Sequence, residues 1–228
     1  MKKPIVISLG GSLIAPEKMN PNFLKELRNT LSKHYKNNSF IIVCGGGVIA
    51  RKYISALRED GRSEKDQSLA GIRATCLNAE FMMEWFRKDA NEKLPKSPEE
   101  IKSLLRKNKV VFCCAFRYVP HTTSDDTAAK LAKKFNASLI NLSNVDALYT
   151  KDPSKYKNAK KIPYISWKDF EKIAYHVKYK AGQHFIIDQK TSSYIKKNKI
   201  ETFLLGNKLK NLSNLLSGKK FNGTIIGP

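Results

Sequence analysis

Two short apolar runs, each ending in glycine, constrain this chain more than any other feature. Pro4-Ile5-Val6-Ile7-Ser8 leads into Leu9-Gly10-Gly11-Ser12, and Phe40-Ile41-Ile42-Val43-Cys44 leads into Gly45-Gly46-Gly47. Brief β-branched runs closed by glycine read as buried parallel strands whose C-terminal ends face a ligand. Glycine lacks a Cβ, so its amide can approach a phosphate closely, and a following helix N-terminus adds a favourable dipole. Glycine also ends strands in many α/β proteins, so these residues leave two readings open: plain turns, or a site holding more than one phosphate.

The rest of the chain alternates strand and helix, which predicts an α/β fold: a three-layer αβα sandwich around a mainly parallel sheet, with residues 1–228 forming a single domain. Helical spacing of Phe23, Leu24, Leu27, Leu31 and Tyr35 predicts a helix between the first two strands. Further helices are expected over 48–57, 71–88, from Ser97-Pro98, and over 127–135, 167–175, 188–197 and 207–217. Strands are expected over 110–115, 138–142, 201–205 and 223–226. The lysine-rich segment from Asp146 to Trp167 reads as an excursion from the sheet, with a hairpin as one form it can take, and a loop is expected around Gly182.

Charge and cysteine usage narrow the partners. No stretch approaches eighteen apolar residues, and the N-terminus has no long apolar region or small-residue cleavage site, so neither a membrane span nor a secretory signal is expected. Lys+Arg total 42 against 20 Asp+Glu, a net charge of +22. The lysines are scattered, without an arginine stripe or interleaved aromatics. That pattern argues for a solvated surface that steers anions rather than for a nucleic-acid platform. Cys44, Cys76, Cys113 and Cys114 form no C-x-x-C pair, and reduced, packed thiols in a cytoplasmic protein are expected.

Several chemistries are absent as motifs: there is no Walker loop, no G-x-G-x-x-G, no H-E-x-x-H and no G-x-S-x-G. His34, His121, His176 and His184 are too dispersed for a recognisable metal site, and no protein metal site is expected. Polar residues gather instead at two strand ends. Pro120-His121-Thr122-Thr123-Ser124-Asp125-Asp126 offers hydroxyls and carboxylates beside a helix start, for capping, for phosphate, for placing Mg²⁺ or for orienting a lysine. Ser143-Asn144-Val145-Asp146, followed by Tyr149, Asp152 and Pro153, suits either Asx turns or a ligand at the sheet edge.

Taken in order, these strings resemble the amino acid kinase superfamily and, within it, the archaeal-type UMP (uridylate) kinases. The resemblance rests on Gly10-Gly11-Ser12, then Gly45-Gly46-Gly47 with Ala50-Arg51, then Gly71-Ile72 with Thr75 and Asn78-Ala79. It continues through Asn144-Val145-Asp146-Ala147-Leu148-Tyr149-Thr150-Lys151-Asp152-Pro153 and the Phe221–Ile226 ending. It implies transfer of the ATP γ-phosphoryl group to UMP, giving UDP, with ATP as donor and Mg²⁺ as helper. By position, Gly10, Gly11 and Ser12 face the ATP phosphates, Gly47 and Arg51 lie on the ATP side, and Ser143, Asn144, Tyr149 and Asp152 hold adenosine. Gly46 meets the UMP phosphate, while Tyr118, Val119, Pro120, His121, Thr122, Thr123 and Ser124 wrap the UMP. Asp125 organises transfer, with Arg51 and Gly10 as its catalytic companions.

Three positions depart from the family pattern. Ser8 stands where relatives carry lysine or aspartate, Ser68 where an aspartate contacts the nucleoside, and His121 where glycine is usual. Lys190, near Asp188, is the candidate to replace the charge missing at Ser8. The departures keep two alternatives in view: another small phosphate or acid as acceptor, or a relative that binds nucleotides without turnover. The resemblance further implies a cytoplasmic homo-oligomer, a hexamer, serving pyrimidine nucleotide biosynthesis.

Overall fold

The computed structural model describes residues 3–151, 153, 156–175 and 187–228. In chain order it runs β1 (Ile5–Leu9), α1 (Gly11–Ile14), α2 (Pro21–Ser32), β2 (Phe40–Cys44), α3 (Gly47–Glu59) and α4 (Glu64–Phe86). It continues α5 (Pro98–Leu104), β3 (Val110–Cys113), α6 (Ser124–Lys134), β4 (Leu139–Leu142), β5 (Leu148–Tyr149) and β6 (Lys161–Ile162). The last elements are β7 (Tyr164–Ser166), α7 (Trp167–Tyr175), α8 (Gln189–Asn198), β8 (Thr202–Leu205), α9 (Leu209–Leu216) and β9 (Thr224–Gly227).

Among the described residues, seven strands form one sheet in the order β3-β2-β1-β4-β8-β9-β7. Every pairing in it is parallel except β8 with β9. The side-chain period of two along each strand sorts the core into two layers. Ile7 and Leu9 of β1, with Ile42, Phe112 and Ile140, pack on one face against Leu24 and Leu27 of α2, Met82 and Phe86 of α4 and Leu212 of α9. Val6, Ile41, Val43, Val111 and Leu139 pack on the other against Ala128 and Leu131 of α6, Phe170 of α7 and Ile195 of α8. This is the expected αβα sandwich. Each fully buried Val, Leu, Ile, Phe or Met among these contributes about 1.5–3 kcal/mol of hydrophobic transfer.

Local signals set the helix starts. Asn20 accepts a hydrogen bond from Phe23 N at 3.1 Å ahead of Pro21, and Ser97 caps α5 through Glu100 N at 3.2 Å. α4 begins at Glu64, earlier than the apolar stripe predicts, because Ser63 accepts from Asp66 N and donates to its carboxylate at 2.6 Å. The excursion after β4 is a β5–β6 hairpin, as one of its readings had it. Its last residues, however, return as β7 to the sheet edge beside β9. Short strands such as β7, only three residues long, leave little periodicity to read.

Cysteine usage needs a correction. Cys76 of α4 and Cys114, just past β3, form a disulfide, and only Cys44 and Cys113 are free, both buried. A 38-residue separation hides the pairing in sequence, yet the fold brings the two Cα atoms to 4.8 Å, within bridging range. Burial holds both free thiols well above their usual pKa.

Candidate active site

The two glycine turns meet at the C-terminal edge of the sheet, because β1 and β2 are parallel neighbours with Leu9 opposite Cys44. They pack backbone on backbone. A Cβ on Gly11 would lie 2.1 Å from Gly47 N and 2.5 Å from Gly45 O, and one on Gly45 would lie 2.7 Å from Gly11 N. Gly47 also has φ +61°, in the left-handed region that favours glycine. Steric need alone therefore accounts for Gly11, Gly45 and Gly47. Their approach also brings the first turns of α1 and α3, whose leading amides have no intrahelical partner, to the same place. Gly46 has a packing reason too, since its Cβ would sit 2.4 Å from Ala50 Cβ.

Beside these turns lies a buried polar cluster that strand parity builds. Ser8 and Asn141 are register partners on β1 and β4 and point to the α6 side of the sheet. Asp125, in the first turn of α6, comes down on them. Ser8 Oγ donates to Asp125 Oδ1 at 2.5 Å, Asn141 Nδ2 to the same oxygen at 3.0 Å, and Thr123 Oγ1 approaches Oδ2 at 3.2 Å. Asp188, which caps α8, accepts from Thr123 N at 3.1 Å and from Thr191 N at 2.8 Å. Desolvation pushes the Asp125 carboxyl up to about 6, against the opposing bonds from Ser8, Thr123 and Asn141 and reinforced by the Asp188 charge. Thr123 caps α6, and Asp126 pairs with Lys130 at 2.6 Å, so the capping task left open for both carboxylates falls to the threonine.

A cavity of about 190 Å³ opens next to this cluster. Its wall brings together Gly46, Gly47, Arg51, Ser68, Tyr118, Val119, Thr122, Thr123 and Ser124 with Ala50, Gly71, Ile72 and Thr75 of the family motifs, and adds Ala115 and Arg117. Pro120 and His121 are not part of the wall. The expected division of Gly46 from Gly47 and Arg51 does not follow the cavity, which all three line. Asp66, two residues before Ser68, is engaged with Ser63.

The segment from Arg117 to Thr123 is anchored on both sides. His121 Nδ1 lies 3.2 Å from Glu64 Oε1, and Lys190 Nζ donates to Pro120 O at 2.8 Å. Lys190 thus holds the loop, while at Asp125 a hydroxyl, from Ser8, stands in the position where a charge was sought. His121 takes φ +58°, which explains why glycine suits this position in the family pattern.

On the other side of β1, Gly10 donates its amide to Leu142 O at 2.8 Å, and Asn144 Nδ2 donates to Ser12 Oγ at 3.0 Å. Ser143 Oγ accepts from Val145 N at 3.2 Å, the turn expected there. Tyr149 Oη donates to Asp146 Oδ1 at 2.8 Å, and Lys161 Nζ reaches Asp146 Oδ2 and Asn222 Oδ1, each at 2.7 Å. These bonds fasten the hairpin to the sheet edge. Asp152, His176, Gly182 and His184 lie outside the described residues.

No sequence motif marks Arg117, Asn141 or Asp188 as a site residue. Asn141 had a signal, being the one polar residue inside Leu139-Ile140-Asn141-Leu142. Asp188 and Arg117 come into place only through tertiary structure.

At the C-terminal edge of this mainly parallel sheet the glycine turns lie beside Arg51, Arg117 and the Asp125 and Asp188 carboxylates, an arrangement suited to an enzyme that handles phosphate. Residues 3–206 match the model of the amino acid kinase family. The chain belongs to that family. It is 34% identical to the uridylate kinase of Methanocaldococcus jannaschii, over 97% of this chain and 98% of that one. It is 30% identical to that of Thermococcus kodakarensis, over 98% and 99%. The crystal structure of uridylate kinase from Archaeoglobus fulgidus superposes with a TM-score of 0.84 at 31% identity, covering 98% of this chain and all of that one. No helix among the described residues is long and apolar enough to cross a membrane.

Proposed function

We propose that this protein is a UMP kinase that transfers the γ-phosphoryl group of ATP to UMP, forming UDP and ADP. One observation carries the reading: the cavity that joins Gly46, Arg51, Ser68 and the Tyr118–Ser124 loop opens beside Asp125 in a chain similar end to end to uridylate kinases. UMP occupies this cavity, and ATP lies along Gly10, Gly11 and Ser12 with its adenosine near Ser143, Asn144 and Tyr149. A UMP phosphate oxygen attacks the γ-phosphorus in line, and the bond to the β,γ-bridging oxygen breaks with its electrons leaving on ADP. The attacking oxygen is already anionic, so no protein base is required. Catalysis consists of positioning and of neutralising charge on the transferring group, tasks suited to first-turn amides and Arg51.

Magnesium fits the residues present. Among the described residues no group of three His, Cys, Asp or Glu forms a cage. In phosphoryl transfer, however, substrate phosphates and waters supply most of the ligands and one or two protein oxygens suffice. Asp125 offers a carboxylate, and beside it Asn141 Oδ1 is buried without a partner, a hard-oxygen pair suited to this ion. Bound there, Mg²⁺ would neutralise phosphate charge. A cytoplasmic homohexamer serving pyrimidine nucleotide synthesis completes the proposal, and sedimentation of the purified protein tests its assembly.

The reading is tested by ADP release across a panel of nucleoside monophosphates, carboxylates and small phosphates. It predicts a sharp maximum at UMP. A maximum elsewhere would move the acceptor assignment, and ATP binding without turnover of any acceptor would favour a non-catalytic relative.

A further inference from the structure

The cavity wall contains two guanidinium groups, Arg51 and Arg117, and no carboxylate. Neither arginine has an ion-pair partner among the described residues. Arg51 rides on α3, in the turn that follows the Gly46–Gly47 amides, and is half-buried. Arg117 stands on the loop after β3 and is exposed, on a ridge that also borders a second cavity toward α5 and α6. The acid on that second side, Asp126, is already taken by Lys130 at 2.6 Å. Arg117 therefore has no anion to satisfy it on either side of the ridge, and it shares the first cavity with another cation.

Two guanidinium groups on the wall of a carboxylate-free cavity give it a positive potential that favours an anion. A phosphate monoester is the natural occupant, because each guanidinium can give it two parallel charge-assisted hydrogen bonds. The only anionic group of a nucleoside monophosphate is its phosphate. We propose that Arg117 is a second acceptor-phosphate residue, which meets the phosphate from the loop while Arg51 meets it from α3. The pair makes the site selective for a dianionic phosphate monoester over a neutral nucleoside. This rests on the cavity being the acceptor site.

The test compares wild type, Arg117→Met and Arg117→Lys by calorimetric titration with UMP and with uridine, alongside initial rates with each substrate varied in turn. Loss of one charge-assisted contact is expected to weaken UMP binding and raise its KM by about tenfold to a hundredfold. Uridine binding and the KM for ATP should stay within about twofold, and lysine should restore part of the loss. A merely structural arginine would instead weaken UMP and uridine alike. Equal losses for the two ligands, or a UMP affinity unchanged in Arg117→Met, would overturn the proposal. Wild-type protein that binds no UMP would overturn it together with the acceptor reading. Wild type that turns over UMP while Arg117→Met matches it would overturn the Arg117 assignment alone.

Discussion

Replacing Asp125 by asparagine should stabilise the ligand-free protein while destroying its activity. The carboxyl titrates near 6 in the fold instead of 3.8, so the fold favours its neutral form. At about 1.4 kcal/mol per unit, ionised Asp125 costs at most about 3 kcal/mol of stability, and partial contact with solvent reduces this to about 1–2 kcal/mol. Asparagine fits the same bonds. Its Oδ1 accepts from Ser8 and Asn141, and its Nδ2 faces Thr123 Oγ1, which can accept while donating to Asp188 Oδ2 at 3.0 Å. The sign follows from linkage: an acid whose pKa is raised by folding loses stability as pH climbs from the unfolded value through the folded one. The advantage of Asp125→Asn should thus be absent near pH 4, grow to pH 6 and stay constant above it. Urea denaturation at pH 4, 6 and 8 measures this, and a parallel rate assay should show a loss of a hundredfold or more. A variant less stable than wild type at pH 8, or a gain independent of pH, would refute the reasoning.

Other perturbations probe neighbouring parts of the account. Ser8→Ala removes a bond that lowers the Asp125 pKa, so the acid limb of the rate–pH profile should move to higher pH; an unmoved limb would detach Ser8 from the site. Gly11→Ala should cost about 2–4 kcal/mol in denaturant unfolding, because its Cβ would strike Gly47 N at 2.1 Å; wild-type stability would show that the turns do not interlock. Reduction, or Cys76→Ser, should remove about 4 kcal/mol by the chain-entropy argument for a 38-residue loop. Thiol titration of the unreduced, denatured protein should then find two of the four cysteines free, and a count of four would contradict the disulfide.

What could be read from the chain divides along a physical line. β1, β2 and α2 announce themselves through local patterns, since apolar runs closed by glycine and a regular helical stripe carry their own evidence. The polar cluster around Asp125 is different: Ser8, Asn141 and Asp188 become neighbours only when β1 pairs with β4 and α8 packs beside α6. The family resemblance singles out Asp125, whereas the groups that tune it are set by register and helix placement. Gly46 shows the converse. The family resemblance gives it a phosphate role, yet a Cβ there would meet Ala50 Cβ at 2.4 Å, so local packing calls for glycine as well. The Cys76–Cys114 pair likewise escapes spacing rules, because parity of α4 and β3 decides it.

The most direct measurement is a crystal structure of the protein with UMP and a non-hydrolysable ATP analogue. The account predicts uracil in the cavity between Ser68 and the Tyr118–Ser124 loop, with the UMP phosphate against Arg51 and Arg117. The donor γ-phosphate should lie between that phosphate and Gly10–Ser12, with Asp125 alongside. UMP bound outside this cavity, or a γ-phosphate directed away from the acceptor, would contradict it.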